Sequence, residues 1–154
     1  MIPTTPSVAA SEREEDELYS YLLRRGWSVE YVGQRVWSQG LKTAARHYSV
    51  ARHWPDLLIG RGPTIYFVEV VNTGGRREPF LEVAKLVALN RWMDVAPVLI
   101  ADVSTKTAWL HNADWPDRDL ATNVMTVHPN GGSGDPYCAL IRPEYAATWD
   151  VTFA

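Results

Sequence analysis

The chain has 154 residues, 46% of them hydrophobic and 21% charged, with a formal charge of −3 and one cysteine, Cys138. That length can bury a core without covalent staples, the lone cysteine excludes an internal disulfide and suits a reducing compartment, and the net acidity excludes a uniformly basic nucleic-acid coat. The first thirty residues lack the apolar core of a signal peptide and no apolar run reaches the length of a membrane span, so a cytoplasmic protein with no membrane partner is expected.

Residues 1–10, with two prolines and small residues, read as a flexible lead-in, and 11–154 as a single domain. Ser11 and Glu14 have the spacing of a capping box, so a helix is predicted to start there. Tyr21, Leu18 and Leu22 would form its buried stripe and Gly26 would end it. Trp27 to Val32 alternates as a short strand. GQRVWSQGLKTAARHYSVARH, Gly33 to His53, shows no sustained strand period; LKTAARHY could make a helical turn, but the segment is expected to be mainly a long loop. DLLIG and TIYFVEVV, separated by RGP, read as a hairpin-like pair of strands, and NTGGRRE as a turn. Pro79 suits a first helical turn, so FLEVAKLVALNRWM is predicted to be a helix, followed by a buried strand in VAPVLIADV. This order predicts an α/β layer with a mixed sheet. Beyond Asp102 the pattern weakens: TKTAWLHN and NVMTVHP are candidate strands, DWPDRD and NGGSGDP are connections, and 104–154 is treated as a C-terminal extension. Its acidic, tryptophan-rich character would suit a protein partner or a cover for a sheet edge.

Charge is distributed unevenly. Between Arg24 and Arg77 there are nine Lys or Arg and three acids, whereas the rest carries six basic and fifteen acidic residues. Two of those three acids, Asp56 and Glu69, head one apolar run and interrupt the next. Alternation puts Ile65, Phe67, Glu69 and Val71 on one face of their strand, and antiparallel pairing through RGP would bring Asp56 and Glu69 to the same end. Adjacent carboxylates repel, and a divalent cation removes the repulsion; Mg2+ prefers such oxygen ligands together with water and substrate phosphate.

These residues resemble the PD-(D/E)XK nuclease superfamily, and within it the archaeal-type Holliday junction resolvases. The resemblance rests on EDELYSYLLRRGWSV as the opening helix, DLLIGRGPTIYFVEV as the second and third strands, and APVLIADV as the strand after the second helix. It spans about Ser11 to Val103 apart from the longer segment 33–53. It implies a restriction endonuclease-like three-layer core, a central mixed sheet flanked by helices in the order αβββαβ. It also implies a resolvase-like, structure-selective DNA endonuclease using Mg2+, or Mn2+ in its place, that leaves a 5′ phosphate and acts as a homodimer. Carried over residue by residue, it assigns metal binding to Asp56, Glu69 and the carbonyl of Val70, and an assisting role to Glu15. The family lysine two residues after the glutamate is replaced here by Val71.

Lys85 offers one resolution, since some superfamily members carry the lysine on the following helix. Its neighbours Leu81, Ala88, Leu89 and Trp92 form an apolar stripe, which turns Lys85 toward the sheet and Glu69. A purely structural ion pair with Glu69 or Glu82 is the alternative. Arg35, Lys42, Arg46, Arg52, Arg61, Arg76 and Arg77 are candidate DNA contacts. His47 and His53 flank aromatic residues and would touch phosphate, stack on bases or simply order the loop. His111, His128 and Cys138 lack compact zinc-ligand spacing. Two functions remain open: a metal-dependent endonuclease, or a nuclease-fold module that no longer cuts and serves DNA binding or protein assembly.

Overall fold

The computed structural model describes residues 8–74, 80–111, 126–127, 137–139 and 143–154. Helix α1, Val8–Arg24, begins three residues before the expected cap. Ala9 and Ala10 are strong helix formers, so Ser11 lies inside the helix rather than at its boundary. Glu14, the other half of the expected capping box, instead accepts a hydrogen bond from Asn72 Nδ2 at 2.8 Å. The C-terminal end is as the sequence implies. Gly26 adopts φ 84°, while the Trp27 and Gly26 N–H groups reach back to the Leu22 and Leu23 carbonyls at 3.1 Å each, closing a Schellman motif.

Strand β1, Ser28–Tyr31, pairs antiparallel with β2, Leu57–Arg61, which pairs antiparallel with β3, Thr64–Val71. The β2–β3 hairpin is the expected one, with Leu57 opposite Val68 and Arg61 opposite Thr64. Segment 33–53, expected to be mainly loop, is largely helical. It contains a 3-10 turn over Gln34–Val36 and helices α2, Gln39–Ala45, and α3, Ser49–Arg52. Ser38 caps α2 by accepting from the Leu41 N–H at 3.2 Å. Helices of seven and four residues are too short to impress a period on the sequence; tertiary contacts hold them. Trp54 lies tilted by 40° against Trp92 with ring centroids 4.2 Å apart and meets Trp37 edge-on at 6.0 Å.

The predicted helix after Pro79 also needs correction. Residues 75–79, including Pro79, lie outside the described residues. Phe80–Glu82 forms a strand, β4, and helix α4 runs only over Val83–Trp92. The register explains the change: β4 pairs antiparallel with β8, Tyr137–Ala139, more than fifty residues away, and that ladder takes up backbone groups a helix would have used internally. β8 also pairs with β7, Thr126–Val127, within the predicted NVMTVHP strand. Strand β5, Val98–Asp102, runs parallel to β3, and β6, Thr107–Leu110, pairs antiparallel with β5. Strand β9, Ala147–Thr148, and the one-turn helix α5, Trp149–Thr152, had no counterpart among the predicted elements. DWPDRD and NGGSGDP lie outside the described residues, apart from the question of their flanking strands.

The main sheet therefore has the order β1-β2-β3-β5-β6-β9 with mixed directions, and β4-β8-β7 form a second sheet. With the helices of segment 33–53 and β4 set aside, the order through β5 is αβββαβ, as expected for a restriction endonuclease-like core. One sheet face, with Val29, Leu57, Ile59, Val68 and Leu99, packs on Leu18 and Leu22 of α1 and on Trp149 and Phe153 at the C-terminal turn. Leu18 and Leu22 are fully buried, each contributing about 2 kcal/mol by removal from water. The other face, with Phe67 and Val98, packs on Leu89 and Trp92 of α4. Strand alternation then places Glu69, two residues beyond Phe67, toward α4.

Candidate active site

Four elements converge on the end of the β2–β3 hairpin. Asp56 immediately precedes β2, and its main chain is tied on both sides. Its N–H donates to the Val68 carbonyl at 3.1 Å, and its own carbonyl accepts from Val32 and Gly33 at 3.1 and 3.4 Å. Its carboxylate is held as well, since Oδ2 accepts the Val70 N–H at 2.8 Å. Gly33 is packed closely here: a Cβ would lie 3.3 Å from the Pro55 carbonyl oxygen, a tight contact, and 3.6 Å from Asp56 Oδ1, an ordinary one. Backbone groups alternate sides along a strand, so Val70, whose N–H faces Asp56, points its carbonyl to the same edge, beyond the end of β2. That carbonyl and the two carboxylates are the three groups assigned to a metal from the sequence.

Glu69 is only 2% exposed. Lys85, from α4, reaches Glu69 Oε1 at 2.8 Å, as the apolar stripe on α4 implies. The other oxygen, Oε2, is buried and receives no hydrogen bond from a donor among the described residues, and the Glu69 carboxyl stands within hydrogen-bonding reach of Asp56, a contact two acids make only when one of them holds a proton. Burial, and then the charge of Asp56, push the Glu69 carboxyl well above its ordinary range, with Lys85 opposing. Glu15 joins from α1, turned inward and buried. Burial and the Asp56 charge raise its pKa to about 8 against the pull of Arg35 and Lys85. Three acids and one lysine from four separate elements thus share one electrostatic environment.

A second buried acid shows what a structural carboxylate looks like in this fold. Asp102, at the end of β5, accepts from the Thr73 hydroxyl at 2.8 Å and N–H at 3.3 Å, the Ser104 hydroxyl at 2.8 Å and N–H at 3.1 Å, and the Thr105 hydroxyl at 2.8 Å. Burial works against its charge, but hydrogen bonds from Thr105, Thr73 and Ser104 outweigh it and hold the carboxyl below its ordinary value. Asp102 locks the ends of β3 and β5 together. It was missed in the sequence, although DVST, an acid followed by two hydroxyl residues, is the pattern of a side chain satisfied by its own turn.

The other sequence candidates are dispersed. Arg35 lies near the site but is engaged within the fold. It bonds Asp16 at 3.0 Å, lies 3.9 Å from Glu15 and stacks over Tyr31 at 4.1 Å. Lys42 is on α2, Arg46 caps that helix, and Arg52 ends α3. Arg61 is at the opposite end of β2, about 15 Å along the strand from Asp56. There it covers Trp27 and donates to the Arg25 and Ala154 carbonyls. Arg76 and Arg77 lie outside the described residues. Val71, where the resemblance noted in the sequence would put a lysine, is a buried core residue on the same strand as Glu69.

The structure is similar to Hjc, a Holliday junction resolvase from the archaeal hyperthermophile Archaeoglobus fulgidus, over 92% of this chain and 93% of that one, with 12% identity and a TM-score of 0.49. No family model matches the chain, nor does any curated protein.

The donor set suits a hard divalent cation. Among the described residues no three His, Cys, Asp or Glu side chains form a metal-binding cluster. Two carboxylates and a backbone carbonyl are oxygen donors of the kind Mg2+ accepts together with water and substrate phosphate. Glu69 Oε2, which receives no donor, is the atom such an ion would satisfy.

Proposed function

We propose that this chain is a metal-dependent DNA endonuclease. One observation carries the reading: Glu69 is buried with one oxygen on Lys85 and the other without a donor, directly beside Asp56, whereas the comparably buried Asp102 is satisfied by five donors. A buried carboxyl held against a second acid, with no donor on one oxygen, is costly to ionise, and a cation that takes the place of the proton offsets that cost.

Asp56, Glu69 and the Val70 carbonyl would hold Mg2+, or Mn2+ in its place. When bound, the ion polarises the scissile phosphate and lowers the pKa of the attacking water. Lys85 fixes the Glu69 carboxylate and places a positive charge where the family's strand lysine would offset charge developing on the phosphate. Glu15, held neutral by its surroundings, can orient water as a hydrogen-bond donor. The acid-free segment 33–53 lies next to the site and supplies the phosphate-binding charge that the chain as a whole lacks.

The test is cleavage of branched, duplex and single-stranded DNA with Mg2+ or Mn2+. Asp56→Asn and Glu69→Gln are expected to lower the rate at least ~100-fold, and Lys85→Ala comparably. Adding Val71→Lys to Lys85→Ala returns an ammonium to the same strand face, so partial recovery is expected. The buried valine at position 71 favours the second reading, a nuclease-fold module without catalysis. Wild type that binds DNA but cuts none of these substrates with either ion would establish that reading instead.

A further inference from the structure

Segment 33–53 has two unlike sides. Its inner side is committed to the fold. Ala45 is buried, Trp37 Nε1–H donates to the Val32 carbonyl at 3.1 Å, and Trp92 Nε1–H donates to the His53 carbonyl at 3.1 Å. Both ends of the segment are fixed at the candidate site. Gly33 at its start donates to Asp56, and His53 at its finish is separated from Asp56 by two residues.

The outer side is apolar and basic together. Tyr48 is 68% exposed, Val36 55% and Leu41 51%, interleaved with Lys42, Arg46 and His47. Residues 33–53 contain no Asp or Glu in a chain whose net charge is −3, and while Arg35 is engaged with Asp16 and Tyr31, Lys42 and Arg46 carry the charge of α2 and its C-terminal end. Charge complementarity therefore selects a polyanion as the occupant. A surface meant only for the phosphates of a duplex needs cations and hydrogen-bond donors, which a tyrosine hydroxyl also supplies, but gains nothing from an exposed leucine and valine beside it. Unpaired nucleotides offer both a charged backbone and bare base faces, and a cationic surface with aromatic platforms is how single strands are held.

We propose that the outer surface of segment 33–53 binds unpaired nucleotides, with Tyr48 as the stacking platform, Leu41 and Val36 as its apolar surround, and Lys42 and Arg46 on the phosphates. The inference rests on the nuclease reading for its choice of nucleic acid, and it specifies the substrate class: a strand with unpaired bases beside the scissile phosphate.

The experiment measures binding by fluorescence anisotropy, with EDTA present so that cutting does not intrude, using a labelled oligothymidylate of about 20 nucleotides and a duplex of the same length. Tighter binding of the single strand is expected. Tyr48→Ala should weaken single-strand binding about tenfold or more and leave duplex binding unchanged, while Tyr48→Phe keeps the ring and the affinity. The double variant Lys42→Ala/Arg46→Ala should weaken both ligands and lower the salt slope by about one to two. Equal binding of both ligands, or a Tyr48→Ala variant with wild-type affinity for the single strand, would overturn the proposal. Cleavage is then assayed separately with Mg2+. A protein that shows this binding pattern and never cuts supports the surface and removes the nuclease reading. One that cuts duplex DNA with no dependence on Tyr48 does the reverse.

Discussion

At the scale of single residues, two buried carboxylates in neighbouring strands have opposite electrostatics because of what surrounds them. Asp102 is ringed by hydroxyl and amide donors that favour its charge, whereas burial and Asp56 both disfavour the charge of Glu69. Glu15 extends the second case. Its pKa in the fold is about 8, above the ordinary 4.5, so below 4.5 the group is protonated whether or not the chain is folded and has no effect on stability. As pH rises from 4.5 toward 8, the unfolded chain ionises first and the fold loses stability relative to it. Glu15→Gln removes that slope. In metal-free buffer the variant should melt like wild type near pH 4.5 and gain on it steadily up to pH 8; parallel melting curves would show that Glu15 ionises freely. Asp56, Glu69 and Lys85 were legible in the sequence because a charged residue in a strictly apolar stripe stands out at either period. The engagement of Arg35 with Asp16 and Tyr31 was not, because those contacts join residues whose spacing carries no pattern.

At the scale of elements, the hairpin and β5 followed the sequence because their apolar alternation is long enough to fix face and register. The departures share one physical cause. Helices α2 and α3 are too short to be stable alone, and β4 has residues that suit a helix equally well. In each case contacts made by distant residues decide the conformation. The tryptophan cluster is the clearest such contact, since Trp92 on α4 anchors His53 through Nε1 and lies against Trp54. Trp92→Phe keeps a ring but loses the donor, which should cost about 1 kcal/mol in urea unfolding and quicken proteolysis within 33–53. Unchanged proteolysis would mean that Trp37 and α3 hold the segment without it.

At the scale of the whole molecule, the site exists only when four elements are assembled: α1 brings Glu15, the start of β2 Asp56, β3 Glu69 and α4 Lys85. A cation bound there links those elements and stabilises the folded state by mass action, by about 2.7 kcal/mol at a free concentration 100 times Kd. For a chain of this size that is a rise in Tm of several degrees. Mg2+ should produce the rise in wild type and not in Asp56→Asn, and the rise should be larger at pH 8 than at pH 6, since a proton held by Glu69 must leave before the ion binds. An equal rise in both proteins would place the ion elsewhere.

The sequence by itself determined the two sheet faces, the approach of Asp56 and Glu69 at one end of the hairpin, and the turn of Lys85 toward the sheet. All of these follow from periods of two and of 3.6 residues, which are local properties of a chain. Only the tertiary structure decided that Lys85 meets Glu69, that one Glu69 oxygen is left without a donor while Asp102 is fully satisfied, and that segment 33–53 is folded with Tyr48 outward. Those are questions of which distant groups share a volume and which hydrogen bonds remain to be made, and a one-dimensional pattern contains neither.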